Sequence, residues 1–186
     1  MKNLLRIIAA LLLLSTPAVA KSSISIGTTM SFLKIDDPNF KYINNNDQLQ
    51  LSSLNLGLHY QPDKTAFVYS VLTNRILNRG VNRQVRSKNN NNIYTNTTKV
   101  IADTIMLGYQ IRQFIPSVFL SNVNVDKAIL INNVYKHDIK NSFIWGINTT
   151  YYLTKNINLT SSIVMPNKKF NINTGVIFGA NYIFNL

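Results

Sequence analysis

The chain has 186 residues, no cysteine and a formal net charge of +12. Without cysteine there are no disulfide staples and no thiol chemistry. Beyond the first 20 residues, no stretch is apolar enough for a transmembrane helix. A membrane location would therefore require a closed barrel, because only helices and closed barrels satisfy every backbone group in lipid.

In chain order, the first segment reads as a secretory signal. Lys2 and Arg6 make a positive n-region, residues 7–14 are an unbroken apolar run, and Ala18 and Ala20 are small residues where a signal peptidase inspects the chain. The run is too short to cross ~30 Å of hydrocarbon, which needs about 20 apolar residues. The expected division is a signal peptide over 1–20 and a single barrel domain over 21–186. Export turns the basic charge away from nucleic acid and toward phosphate-rich lipid or anionic polysaccharide.

From there a period of two recurs, and no helical period competes with it. Ile24, Ile26, Thr28, Met30 and Phe32 alternate with Ser, Gly and Thr. Leu54, Leu56, Leu58 and Tyr60 alternate with Ser53, Asn55, Gly57 and His59. Ile105, Leu107, Tyr109 and Ile111 form a third set, and Phe143, Trp145, Ile147, Thr149, Tyr151 and Leu153 a fourth. The longest runs from Ile172 through Thr174, Val176, Phe178, Ala180, Tyr182 and Phe184 to Leu186. Such alternation predicts strands with one apolar and one polar face. Weaker runs at 66–76, 118–126 and 157–165 bring the expected strands to eight.

The connections are unequal. Short turns are expected at 61–65, at 112–117 with Pro116, and at 154–156, where Pro, Asp and Asn supply turn chemistry. Longer polar loops are expected at 36–48, 77–99 and 127–141, with a brief one at 166–169; residues 89–92 are an all-Asn run. Transmembrane barrels show this asymmetry. The expected fold class is all-β, an eight-stranded antiparallel up-and-down transmembrane β-barrel.

Alternation alone does not say which face is wet. A soluble periplasmic barrel of lipocalin type would turn the apolar face inward around an apolar ligand. Two features favour lipid. Aromatics gather beside the short turns and the C-terminus (Tyr60, Phe67, Tyr109, Phe114, Phe119, Tyr151, Tyr182 and Phe184), as an interfacial girdle would. The polar face is rich in Ser, Thr, Asn and Gly, small enough to fill a narrow lumen.

The final strand carries a resemblance. Phe178, Ala180, Tyr182, Phe184 and Leu186 fall on alternate positions up to the end. This resembles the C-terminal signal by which outer-membrane barrels are recognised by their assembly machinery, with Leu in place of the usual Phe. With the leader and eight runs, the mature chain resembles the small outer-membrane barrel group: the OmpA transmembrane domain, OmpX-like proteins and opacity-type surface proteins. The resemblance implies the outer membrane of a Gram-negative-type envelope, contact with its lipid and lipopolysaccharide, and an adhesion-type or structural role as a monomer.

Chemistry-bearing residues are few. His59 lies on a polar strand face and His137 in a loop beside Asp138. Barrel enzymes that deacylate lipid A resemble a His–Ser–Glu arrangement, and this chain has no Glu, so no catalytic set, cofactor or metal is expected. Eight strands leave no room for a general pore. Asn-x-Thr triplets at Asn96, Asn148 and Asn158 match glycosylation acceptors, but an Asn-rich chain produces them by chance. The one charge constellation is Arg75, Arg79, Arg83, Arg86, Lys88 and Lys99, a candidate site for lipopolysaccharide phosphates or host anionic glycans. A solvated loop is the plainer reading of the same residues.

Mass spectrometry of the membrane-inserted protein is expected to find Lys21 at its N-terminus. A retained Met1 would mean that the leader stays as an anchor.

Overall fold

The structure is a computed structural model that describes residues 21–35, 40–42, 48–62, 65–76, 81–87, 89, 92–131 and 134–186. The expected leader lies outside the described residues. Ten strands follow one another: β1 (Lys21–Ile35), β2 (Phe40–Tyr42), β3 (Gln48–Gln61), β4 (Phe67–Ile76), β5 (Val81–Ser87), β6 (Ile93–Tyr109), β7 (Phe114–Ile131), β8 (Val134–Tyr152), β9 (Ile157–Val164) and β10 (Ile172–Asn185).

Eight of them form the wall. The ring runs β1–β3–β4–β6–β7–β8–β9–β10 and closes where β10 pairs with β1, all antiparallel. The closing register runs from Ser23 opposite Asn185 to Ile35 opposite Ile172. The eight runs of alternation are these eight wall strands. β2 and β5 stand outside the ring: β5 pairs with the first part of β6, and β2 pairs with β5.

The long connections depart from expectation. Much of 77–99 is not loop, because β5 and the start of β6 pair from Val81 opposite Thr98 to Arg86 opposite Ile93. Most of 127–141 is strand too, as β7 and β8 continue to Ile131 opposite Val134. β2 lies within 36–48. These segments rise beyond the hydrocarbon, where both sheet faces meet a mixed environment, so no clean alternation marks them in the sequence. Pro116 also belongs to β7 rather than to a turn, opposite Thr149. The β6–β7 ladder ends at Gly108 opposite Ser117, so Pro116 lies just past it, at a ladder end where proline is tolerated.

The outward face is apolar. Leu56, Ile105, Trp145, Phe178 and Phe184 stand 43–56% exposed. Along β8 and just past its end the outward run extends from Phe143 to Leu153, ten residue steps. At ~3.4 Å per residue and ~40° tilt that spans about 26 Å, close to the ~25 Å band of a transmembrane barrel. A soluble barrel would bury these residues, so the lipocalin-type alternative does not describe this fold. Paired aromatics mark the end that carries the short turns: Phe67 with Tyr109 at 5.3 Å, Phe114 with Tyr151 at 4.8 Å, and Tyr182 with Phe184 at 4.8 Å between ring centroids.

Two residues fall on the other face. Phe119 is buried inside, not in the girdle. It sits opposite Gly146, where a Cβ would lie 2.6 Å from the ring; the missing side chain makes the space. Ile172 also turns inward, because the β1–β10 register shifts between Lys34 and Ile35 and passes over Asn173.

Outward Phe178 and inward Ser31 provide a test of the faces. Phe178→Lys puts a charge on the lipid side, at a cost of about 2–4 kcal/mol near the midplane. Ser31→Lys puts the same charge toward open space inside the barrel and is expected to refold nearly as well as the parent in lipid vesicles. Equal refolding yields for the two variants would contradict the assigned faces.

Candidate functional site

The lumen has two halves of different chemistry. The half near the short turns is filled by small polar side chains. His59 reaches Ser70 Oγ from Nδ1 at 2.8 Å and Ser25 Oγ from Nε2 at 2.7 Å. Asn148 Nδ2 donates to Ser117 Oγ at 3.0 Å, and Ser162 Oγ donates to Asn148 Oδ1 at 2.8 Å. Asn181 Nδ2 donates to Asn158 Oδ1 at 2.8 Å. Gly27 lies between Asn55 and Asn181 in the register, and a Cβ there would collide with the Asn181 amide. The void beside His59 is about 20 Å³, room for little more than one water. His59 touches serine on both sides, but a substrate has no space beside it. Asn148 and Asn158 are buried, so their Asn-x-Thr triplets offer no accessible acceptor.

The other half is apolar, which the alternation did not announce. Phe119, Val123, Ile144, Val164, Phe170 and Ile172 pack together, with Leu33, Val100 and Ile177 against them. Phe170 arrives from a short 3₁₀ turn, Lys168–Phe170, between β9 and β10. Asn167 Oδ1 accepts from Phe170 N at 3.1 Å. Asn171 closes the turn at φ 54°, a left-handed conformation that Asn tolerates better than most residues. Beside this cluster a cavity of about 400 Å³ runs through the lumen. It begins on Asn55, Asn148 and Asn181 and ends among Lys127, Asp138 and Lys140 at the rim. Lys127 and Asp138 face each other in the β7–β8 register, and Lys140 Nζ lies 3.4 Å from Asp138 Oδ2.

The sequence-predicted cations are spread rather than gathered. Arg75 stands on the outward face and is paired. Its Nη1 donates to Asp103 Oδ1 at 3.2 Å, and Thr73 Oγ1 donates to the same oxygen at 2.7 Å. Its acid is 28 residues away in sequence, so only the strand register shows it. Arg83 and Arg86 lie in β5, not in a loop, and Arg86 is exposed. Arg79 and Lys88 lie outside the described residues. Along β6 the register puts Arg75 opposite Ile101, Arg83 opposite Asn96 and Arg86 opposite Ile93. At ~3.4 Å per residue these positions span on the order of 27 Å, and positions 83 and 86, three apart on β5, are of opposite parity, so the three do not form one row.

Sequence reasoning missed Lys41, which β2 places opposite Arg86. It also read Lys127, Asp138 and Lys140 as loop residues, whereas they stand on the lumen side of long strands. On the outer side, His137 Nδ1 lies 2.9 Å from Asp126 Oδ1. Among the described residues, no three His, Cys, Asp or Glu side chains gather as a metal site would require.

No protein-family model matches the sequence, and no curated protein matches it. Solved structures do. Ail, the attachment invasion locus protein of Yersinia pestis, in complex with the heparin analogue sucrose octasulfate, matches with TM-score 0.60 at 16% identity, over 89% of this chain and 99% of that one. A second structure of Ail matches with TM-score 0.58 at 15% identity over the same shares. The N-terminal β-barrel domain of Pseudomonas aeruginosa OprF gives 0.49 at 10% identity, over 89% of this chain and 100% of that one. At such identities the likeness is one of fold: the chain has the closed, eight-stranded architecture of the small outer-membrane β-barrels.

Proposed function

We propose that this protein is a monomeric outer-membrane barrel with a surface-interaction role, binding anionic glycans or lipopolysaccharide phosphates through the cations of its projecting sheet. The observation that carries the reading is the placement of Arg83 and Arg86 on β5, outside the ring and beyond the paired Arg75, with Lys41 opposite Arg86. Guanidinium groups pair with sulfate and phosphate through a planar fork of donors. Ail, a barrel of the same fold, has been solved with a sulfated sugar, the class of ligand that exposed guanidinium groups suit. The rim with the long strands would then face outward, and the short turns and both chain ends would face the periplasm. The last strand, ending in Tyr182, Phe184 and Leu186, would engage the barrel-assembly machinery.

The reading is of a binder, neither enzyme nor general porin. The hydrogen-bonded half around His59 and Asn148 closes the lumen below the cavity. Purified protein in a planar bilayer is therefore expected to show no large, stable conductance. Porin-like steps from the monomer would mean that this half opens in the membrane.

The glycan reading is tested with Arg79, Arg83 and Arg86 changed together to Ser. β5 is not a wall strand, so the variant is expected to fold. Exposed charge pairs contribute ~0.2–1 kcal/mol each, so three together predict about tenfold weaker binding at low salt. Retention on immobilised heparin across a sodium chloride series measures it. Elution of variant and parent at the same salt concentration would leave the projecting sheet as a solvated surface only.

A further inference from the structure

The membrane explains the outward apolar residues, but it does not explain apolar residues inside. A transmembrane barrel ordinarily has a polar interior, and half of this one does. The upper half carries Val123, Ile144, Val164 and Ile177 around open space of about 400 Å³. That volume lies within the roughly 300–1,000 Å³ of small-molecule sites, and eight strands enclose just enough width for one small ligand.

Its length and ends narrow the choice of occupant. On β7 the lining runs from Phe119 to Lys127 at the mouth, eight residues along the strand. At ~3.4 Å per residue and ~40° tilt that is about 20 Å of depth, the reach of a long acyl chain. The floor is polar, with Asn55, Asn148 and Asn181, so the apolar channel has a defined bottom. The mouth holds two cations, Lys127 and Lys140, and one acid, Asp138, a local excess of positive charge. The wall is paired strand to strand around the ring as far as Val164, and past it Met165 N donates to Trp145 O at 3.0 Å and Asn167 Nδ2 to Phe143 O at 2.9 Å, which holds the seam to the end of the outward apolar run. Entry is therefore from the rim and not sideways through the hydrocarbon.

We infer that the lumen is a binding site for a single-chain anionic amphiphile of the long-chain fatty-acid class, with its tail on Val123, Ile144 and Ile177 and its carboxylate at Lys127 and Lys140. The tail leaves water for a preformed channel whose apolar side chains are interspersed with Ser31, Ser53 and Thr104, and the head stays at the wet mouth beside opposite charge. About 400 Å³ spread over that depth leaves a mean cross-section for one acyl chain and not for two. This site is separate from the cations of β5, so its test and the heparin test succeed or fail independently.

The probe is sodium palmitate, titrated into protein held in nanodiscs of saturated phosphatidylcholine and followed by methyl NMR. Lumen methyls of Val123, Ile144 and Val164 are expected to shift and saturate, while the outward methyls of Ile105 and Ile147 do not. Hexadecyltrimethylammonium, with the same tail and the opposite head charge, is expected to bind at least fivefold more weakly. Lys127→Gln with Lys140→Gln is expected to remove that preference for the anion. Ala102→Phe, which fills the channel from β6, is expected to abolish the lumen shifts without changing binding to heparin. Non-saturating shifts on the outward methyls alone would overturn the proposal, as would palmitate binding undiminished by Ala102→Phe. So would lumen shifts already at their limit in the nanodisc before palmitate is added, which would assign the channel to bilayer lipid.

Discussion

In hydrocarbon no water is available to a backbone N–H or C=O, so a strand can cross only if both of its edges are paired. The β1–β10 ladder, from Ser23 opposite Asn185 to Ile35 opposite Ile172, removes the last open edge. Closure dictates the faces: once the edges are used, the lipid meets only side chains, and Leu56, Ile105, Trp145 and Phe178 meet it. Closure also confines the exceptions. Pro116, which lacks an N–H, lies at the end of the β6–β7 ladder, and the register shift at Asn173 lies at the far end of the β1–β10 ladder.

Inside, the same ring admits two solutions to the filling of a narrow space. Near the short turns, most hydroxyls and amides bond to one another, as His59 does with Ser25 and Ser70, and Asn148 with Ser117 and Ser162, while Asn55 Oδ1 and Asn181 Oδ1 are buried without a partner among the described residues. Each such bond contributes only about 0.5–1.5 kcal/mol net, but leaving one partner alone in that interior would cost more. Toward the rim the filling is apolar and incomplete. Gly146 yields its side-chain space to Phe119, and a 3₁₀ turn brings Phe170 in from above. The polar half closes the barrel, while the apolar half leaves it open to the rim side.

The wall was legible in the sequence because its two faces lie in different solvents. Where that contrast ends, legibility ends with it. Residues 81–87, 93–99, 127–131 and 134–141 form strands, but their mixed polarity reads as loop. Apolar residues on both faces hide the parity in another way: in the run Val118, Phe119, Leu120 nothing local says that the middle residue points inward, and only Gly146 across the register does. The candidate site suffered most. The spacing from Arg75 to Lys88 looked like one charge cluster, but strand pairing spreads Arg75, Arg83 and Arg86 along β6 and gives Arg75 to Asp103. Lys127, Asp138 and Lys140 converge on the mouth only after the β7–β8 register has been set.

The wall strands are of unequal height. β6, β7 and β8 have 17, 18 and 19 residues, whereas β9 has 8. Beyond Val164, therefore, β8 rises without a strand neighbour on that side, and only the turn bearing Phe170 stands against it. The rim is a tall shield on one flank and a low sill on the other. With that rim outward, as proposed, a body moving across the cell surface would be stopped by the shield if it approached from β6–β8 and admitted over the sill if it came from β9–β10. The barrel thus has a front and a back, and its rotation about the membrane normal decides which neighbours can reach the opening.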